Sequence, residues 1–471
     1  MRKTKIICTL GPSTDKEGIL EKLVQAGMNT ARMNFSHSTY EDHSRRLEEI
    51  KELRKKYNKH ISVLLDTKGP EIRTKNFKDG KVFLTEGQEF MLSCEDIEGT
   101  ETGVSVTYTD LYKEVKQGTV ILIDDGLVEL RVARIEGKNI HCIVKNDGYV
   151  GNHKGINVPD VHINMPFVSD KDREDILFGI ENDVDFIAAS FVRSADDVKE
   201  IRTLLDENGG KAIKIISKIE NGEGVENIDE IIEVSDGIMI ARGDMGVELP
   251  VEEVPIVQKM IIRNVYESGK LVITATQMLE SMITHARPTR AEISDVANAV
   301  YDGSSAVMLS GETAVGAHPA EAARYMSEIA EFTESGIDYT SRFHNSSFKI
   351  KSNADAVSHA TCAMAIDVGA KCIVVNSVSG LTARMVSRFR CPTDIIGLTT
   401  NEQAWRKLNM SWGVLPVLTE EFESNEVMFY NALRQAKKVL RLVRGDNVVM
   451  TGGMIGGPRG NTNTIKLEVV K

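Results

Sequence analysis

At 471 residues and 52.1 kDa, with 41% hydrophobic and 27% charged residues, the chain has a globular composition and a length that divides into two to four domains. Its 57 Lys+Arg against 69 Asp+Glu leave a formal net charge of -12 and a pI near 5.5, which argues against a nucleic-acid binder built on a basic stripe. Anionic substrates must then be met by locally placed Arg and Lys or by bound cations.

The N-terminus, Met1 to Ile7, runs directly into a strand-like segment. It carries no long apolar stretch and no small-residue cleavage site, so it reads as no signal peptide. No window approaches the roughly 18 apolar residues of a membrane span. These two absences place the expected compartment in the cytoplasm. Strands are then expected at Lys5–Leu10, Thr30–Asn34 and Ser62–Asp66, with amphipathic helices at Lys16–Ala26 and Tyr40–Tyr57 between them.

A long gap follows, too long for one crossover. It holds short alternating runs, Lys81–Leu84, Gln88–Ser93, Thr119–Ile123, Leu127–Arg134 and Asn139–Val144, separated by turns such as Asp125-Gly126. That pattern predicts a small β-barrel domain. Flanked by Gly69-Pro70 and Met165-Pro166, it forms a natural hinged lid. The βα pattern resumes with strands at Phe186–Ser190, Lys214–Ile219, Gly237–Ala241, Leu271–Thr274 and Ala306–Leu309, and helices at Lys171–Asn182 and Ala195–Asn208.

Eight such strands fit a closed (β/α)8 TIM barrel, an α/β fold, better than the alternative of an open doubly wound sheet. A polar stretch, Ser341–Asn353, reads as a linker. A second α/β unit follows, with strands at Cys372–Asn376, Ile395–Leu398, Val414–Val417, Asn447–Thr451 and Thr464–Val470. The expected division is barrel 1–69, inserted lid 70–166, barrel 167–340 and a C-terminal α/β regulatory domain 341–471. The six cysteines form no C-x-x-C pair and are expected as buried thiols. The run from Gly452 to Gly460 leads into a strand, so it is a mobile loop rather than a dinucleotide fingerprint, and no G-x-x-x-x-G-K-[ST] loop is present.

Barrel enzymes place their chemistry where strands end. Here the second strand ends in Arg32-Met33-Asn34-Phe35-Ser36-His37 and the third in Asp66-Thr67-Lys68-Gly69-Pro70-Glu71-Ile72-Arg73. The fifth ends in Lys218-Ile219-Glu220, the sixth in Arg242-Gly243-Asp244, the seventh in Thr276-Gln277 and the eighth in Ser310-Gly311-Glu312. Glu220 and Asp244 suit a hard divalent cation such as Mg²⁺. Lys218 and Glu220, two apart on a strand, leave by the same face, which sets an ammonium beside that cation. Arg32 and Arg73 have the fork geometry that grips phosphate. Asn34, Ser36, Asp66 and Thr67 offer oxygens suited to a monovalent cation.

These strings resemble the pyruvate kinase family over essentially the whole chain. So do Ala275-Thr276-Gln277-Met278-Leu279-Glu280-Ser281-Met282 and Pro288-Thr289-Arg290-Ala291-Glu292. The resemblance implies transfer of the phosphoryl group of phosphoenolpyruvate to ADP in glycolysis, giving pyruvate and ATP, with Mg²⁺ (or Mn²⁺) and K⁺ as cofactors. It implies that Glu220 and Asp244 hold Mg²⁺ and that Arg32, Arg73 and Lys218 bind the moving phosphoryl group. It further implies that Gly243, Asp244 and Thr276 meet the substrate, with Thr276, Ser310 and Glu312 near the enolate carbon. Asn34, Ser36, Asp66 and Thr67 match a K⁺ site, and Glu71 stands where K⁺-dependent members carry Glu. Asn34, Arg73 and, in the lid, Asp124, Asp125 and Lys154 match positions that approach the nucleotide.

Ser377, Ser379, Gly380 and Thr382 match the loop that binds a phosphorylated small-molecule effector in regulated members. Val378 and Leu381 depart from the polar residues of some sugar-bisphosphate-regulated enzymes, and an ordinary helix N-terminus is the competing reading. The resemblance also implies a homotetramer of the bacterial type without the extra C-terminal domain. Two other functions compete: a different Mg²⁺-enolate barrel enzyme, which would need neither Lys218 nor a lid, and a non-catalytic paralogue, against which intact Lys218, Glu220, Asp244 and Thr276 argue.

Overall fold

In the computed structural model, which describes residues 1–455 and 462–471, the chain forms three packed units. Residues 456–460 of the expected glycine-rich loop lie outside the described residues. The first unit is built on β1 (Lys5–Thr9), β2 (Thr30–Asn34) and β3 (Ser62–Asp66). The second unit contributes β4 (Ile72–Arg73), β5 (Lys81–Leu84), β6 (Glu89–Ser93), β7 (Gly103–Ser105), β8 (Val120–Ile123), β9 (Val128–Glu136), β10 (Asn139–Val144), β11 (Gly148–Gly151) and β12 (Gly155–Asn157). The first unit resumes with β13 (Phe186–Ala189), β14 (Lys214–Ile219), β15 (Gly237–Ala241), β16 (Leu271–Ala275) and β17 (Ala306–Leu309). The third holds β18 (Cys372–Asn376), β19 (Asp394–Thr399), β20 (Val414–Leu418), β21 (Asn447–Gly452) and β22 (Thr464–Val469).

The eight strands of the first unit close into a parallel barrel in the order β1-β17-β16-β15-β14-β13-β3-β2. Their apolar runs are continuous because both faces are covered. In β1, Ile6 and Cys8 pack outward among the helices, while Ile7 points inward with Leu64, Ile216, Met239 and Met308. Met410, from the third unit, completes that inner cluster. Side-chain caps fix where the helices start. Ser169 and Asp172 form a reciprocal capping box at helix Asp170–Glu181, and Thr289 and Glu292 do the same at Arg290–Asp302.

Asp172 also accepts the backbone N–H groups of Lys68 and Gly69, each at 3.1 Å, tying down the hinge into the second unit. Gly69 itself sits at φ 74°, with Ser190 Cβ 2.8 Å from where its own Cβ would be, so only glycine fits.

The inserted unit is a seven-stranded sheet, β4-β12-β8-β9-β10-β6-β7, with a β5–β11 pair over the same core. Its edge strands meet: Thr107 N–H donates to Arg73 C=O and Lys75 N–H to Ser105 C=O. The sheet therefore curls shut. Four of its strands, β4, β7, β11 and β12, were absent from the sequence expectation, being two to four residues long.

The third unit is an open sheet, β20-β19-β18-β21-β22, parallel except for β22. The expected linker is corrected over residues 341–345. Tyr339–Asn345 is a helix, capped by Asp338 and anchored by buried Tyr339 and Phe343. All six cysteines are buried thiols. No helix among the described residues is long and apolar enough to cross a membrane.

Candidate active site

The barrel's C-terminal rim gathers the charged strand ends into one ion network. Register sets Asn34 opposite Asp66 across β2 and β3. Asp66, buried, receives Arg32 Nε at 2.6 Å on one oxygen and Lys218 Nζ at 3.1 Å on the other. Lys218 also reaches Glu220 at 3.0 Å, as two residues on one strand face can. Its third contact is the hydroxyl of Ser190, at 2.8 Å. Ser190 in turn donates to the Thr67 carbonyl at 2.7 Å.

These contacts set the charges. Burial disfavours the Lys218 ammonium, but Asp66 and then Glu220 outweigh it and hold its pKa above the ordinary value. Burial likewise works against the Asp66 carboxylate, and Arg32 and Lys218 reverse the effect, holding it below its usual range. Glu220 goes the other way. Its burial dominates, Lys218 only partly offsets it, and the charge of Asp244 adds to the rise.

Asp244 lies in the first turn of helix Arg242–Glu248 and makes no side-chain hydrogen bond or ion pair among the described residues. A buried carboxylate of raised pKa beside an unpaired one is a donor set that a divalent cation completes, and Mg²⁺ takes one or two protein carboxylates. At the neighbouring nest, Asp66 is already neutralised by two cations, so Asn34, Ser36 and Thr67 bring neutral oxygens, which suits a singly charged ion.

Arg32 also gives Nη1 to Thr9 at 2.9 Å. Arg73 gives Nε to Glu71 at 2.7 Å and Nη1 to the His153 carbonyl at 2.7 Å. Glu71 therefore aims Arg73 in addition to any role toward a cation. Thr276 and Gln277 both occupy left-handed backbone, φ 67° and 53°, a strained conformation for non-glycine residues. Arg242 holds that turn through the carbonyls of Ala275 and Thr276, at 3.3 and 2.7 Å, and is anchored by Asp295 at 2.7 Å. The Thr276 hydroxyl accepts from Gly243 N–H at 2.8 Å and donates to the Ala275 carbonyl at 2.6 Å. Its proton is thus engaged.

Glu312 corrects the sequence expectation. It is fully buried, with both oxygens taken by the backbone N–H groups of Leu279 (3.0 Å) and Ser310 (2.7 Å), and it positions the loop. The Ser310 hydroxyl is buried without a partner.

Between rim and lid lies a cleft of about 1010 Å³. Arg73, Asp124, Lys154 and Asp244 line it, and Lys154 pairs with Asp124 at 3.0 Å. Asn34 sits below, at the cation nest, where its Oδ1 accepts Ser36 N–H at 3.0 Å. Burial and then the charge of Asp244 raise the pKa of Asp125, so the β8–β9 tip faces the barrel carboxylate. Asn157 of the lid donates to Glu248 of the barrel at 2.7 Å.

In the C-terminal domain, Ser377, Ser379, Gly380 and Thr382 surround the start of helix Leu381–Arg388. The Thr382 hydroxyl is already 2.6 Å from that of Thr462. Sequence reasoning missed Ser190 and the Asn157–Glu248 tie. The signal for Ser190 was present, since it closes the fourth barrel strand.

A family model described as "Pyruvate kinase, barrel domain" matches residues 1–323, and one described as "Pyruvate kinase, alpha/beta domain" matches residues 355–468. A pyruvate kinase of Clostridium acetobutylicum is 48% identical over the full length of both chains. One of Staphylococcus saprophyticus is also 48% identical, over all of this chain and 81% of that protein. The crystal structure of a pyruvate kinase from Cryptosporidium parvum superposes with a TM-score of 0.94 at 40% identity, covering all of this chain and 96% of the other.

Proposed function

This chain belongs to the pyruvate kinase family and is a phosphotransferase carrying phosphoryl from phosphoenolpyruvate to ADP, and we propose the following division of labour among its residues. The observation that carries it is Lys218, buried and charged between two carboxylates at the rim, beside the unpaired Asp244. Its ammonium faces the phosphoryl group and the oxygen left negative when the P–O bond breaks. Arg32 and Arg73, each aimed by a carboxylate, clamp the phosphoryl oxygens. Gly243 and Asp244 border the substrate.

Glu220 and Asp244 hold the divalent ion, Mg²⁺ or Mn²⁺, which supplies Lewis-acid charge against the developing negative oxygen. Asn34, Ser36, Asp66 and Thr67 would hold K⁺, which would supply positive charge to the site. Arg73, Asp124 and Lys154 meet ADP beneath the lid, with Asn34 at its phosphate end. Thr276 positions, and the free Ser310 hydroxyl stands near, the carbon that must gain a proton. Thr276, with its hydrogen committed to a carbonyl, is not the acid.

The same reading places the enzyme in cytoplasmic glycolysis as a homotetramer, regulated by a phosphorylated effector at Ser377, Ser379, Gly380 and Thr382. A coupled assay for pyruvate tests the catalytic reading. Pyruvate should form only with phosphoenolpyruvate, ADP and Mg²⁺ together, and ADP-independent turnover would favour a lyase-type enolate enzyme. Turnover should fall sharply when Na⁺ replaces K⁺, and equal rates in both salts would remove the monovalent nest.

A further inference from the structure

The opposite end of the barrel holds a second concentration of positive charge that phosphoryl transfer does not use. It lies where residues 269–271, leading into β16, and Ser305, preceding β17, meet helix Leu381–Arg388 and Ser411 of the C-terminal domain. Contact there is close: Gly269 has φ 79°, and a Cβ on it would stand 2.8 Å from the Met385 methyl. Four cations, Lys270, Arg384, Arg388 and Arg390, line this pocket.

Their protein partners do not account for them. Arg388 pairs with Asp355 at 3.4 Å and reaches the Lys349 carbonyl at 2.9 Å, but its Nε is buried without an acceptor. Arg390, 5% exposed, gives Nη2 to the Gly303 carbonyl and the Ser305 hydroxyl, and its Nε and Nη1 have no acceptor. The Ser411 hydroxyl is also buried and unpartnered. Lys270 donates to the carbonyls of Ile232 and Glu233, which carry no charge.

Arg384 has no side-chain hydrogen bond or ion pair among the described residues. The carboxylate its field reaches, Asp236, is held by Lys214 at 2.8 Å and Arg202 at 3.4 Å. Burial drags the pKa of Arg390 down to about 10, and lowers those of Arg384, Arg388 and Lys270. Buried donors left unpaired forfeit their hydration with nothing in exchange. Beyond Asp355 on Arg388, no carboxylate pairs with this cluster among the described residues.

We propose that this pocket at the closed end of the barrel binds a phosphate-class oxyanion, held by Arg384 and Arg390 between the barrel and the C-terminal domain. Guanidinium forks match such oxygens two at a time. The present space is about 10 Å³, one water's worth. The oxyanion therefore enters as Arg384, partly exposed and unpartnered, swings aside and closes over it. The site is remote from the mouth, since the five residues of β16 span roughly 16 Å. Its occupant cross-links two domains.

The test is a titration of the full-length protein with inorganic phosphate, read by melting temperature and calorimetry. Phosphate should raise the melting temperature of the unaltered protein. Arg384→Gln, which breaks no side-chain hydrogen bond or ion pair among the described residues, should weaken that binding about tenfold or more, and Arg384→Lys should restore much of it. Lys218→Met and Thr382→Ala, altered at the mouth and at the 377–382 loop, should keep it. An equal response in the unaltered protein and Arg384→Gln, or no response in the unaltered protein, overturns the proposal. A hexose phosphate or nucleoside monophosphate that binds more tightly through the same Arg384 dependence identifies a metabolite as the source of the phosphate group. Binding no tighter than that of phosphate identifies the free ion.

Discussion

At the mouth of the barrel Lys218 is buried between Asp66 and Glu220, at 3.1 and 3.0 Å, whereas at the closed end Lys5 is buried with the Val414 carbonyl as its hydrogen-bond acceptor. The mouth raises the lysine's pKa, and the closed end pushes it down to about 7, chiefly through burial, with Arg2 adding repulsion. The difference teaches that depth alone does not set a buried cation's fate. Partner charge does. At the mouth, the carboxylates of Asp66 and Glu220 keep Lys218 charged and aimed at a substrate. At the closed end, Lys5 meets a carbonyl, and Arg390 meets a carbonyl, a hydroxyl and the rings of Tyr266 and Trp412, none of which neutralises its charge. One end is arranged for chemistry. The other joins domains.

The largest expected effect breaks the mouth. Lys218→Met should lower turnover by roughly 10²–10³, the loss typical when one charge-stabilising donor is removed, with an unchanged circular dichroism spectrum. Turnover near that of the unaltered enzyme would take Lys218 out of the mechanism. At the closed end, Met410→Ala should cost about 2–5 kcal/mol of stability in denaturant melts, because Met410 is fully buried against the barrel's inner cluster. Its turnover should stay unchanged, and loss of activity in a stable Met410→Ala protein would dissolve the contrast between the ends. Ser190→Ala should slow turnover about tenfold without changing metal affinity, since it removes one hydrogen bond that orients Lys218.

Lys5 gives the closed end a pH dependence. An unfolded lysine keeps its proton to about pH 10.4, while native Lys5 releases it near 7. The cost of burying the charged form is thus fully present below pH 7, and between there and about pH 10 the unfolded chain binds more protons. Stability should therefore rise with pH across that window, by at most about 1.4 kcal/mol per pH unit, and Lys5→Met should remove this contribution. Parallel stability curves for the two proteins would contradict the assignment.

Much of the mouth was legible in the sequence because barrel chemistry sits at strand ends, and strand ends show as polar residues closing apolar runs. That logic brings Arg32, Asp66, Lys218, Glu220 and Asp244 together, and the structure adds Ser190 as the hydroxyl that joins them. The proton corner was less legible. Glu312 is polar at a strand end like the others, but backbone donors 33 and two residues away consume both its oxygens. Short lid strands such as Ile72–Arg73 carry no period to read, and the helix Tyr339–Asn345 owes its place to tertiary burial of two aromatic side chains. The closed-end cluster draws Lys270 and Arg390 from segments about a hundred residues apart, which no local pattern reveals.

The most direct test of the central claim follows the methyl protons of pyruvate by NMR in D₂O with Mg²⁺, K⁺ and ATP present. If the buried, charged Lys218 stabilises the enolate, the unaltered enzyme exchanges these protons for deuterium and Lys218→Met does so at least about a hundredfold more slowly. Equal exchange rates in the two proteins would contradict the account.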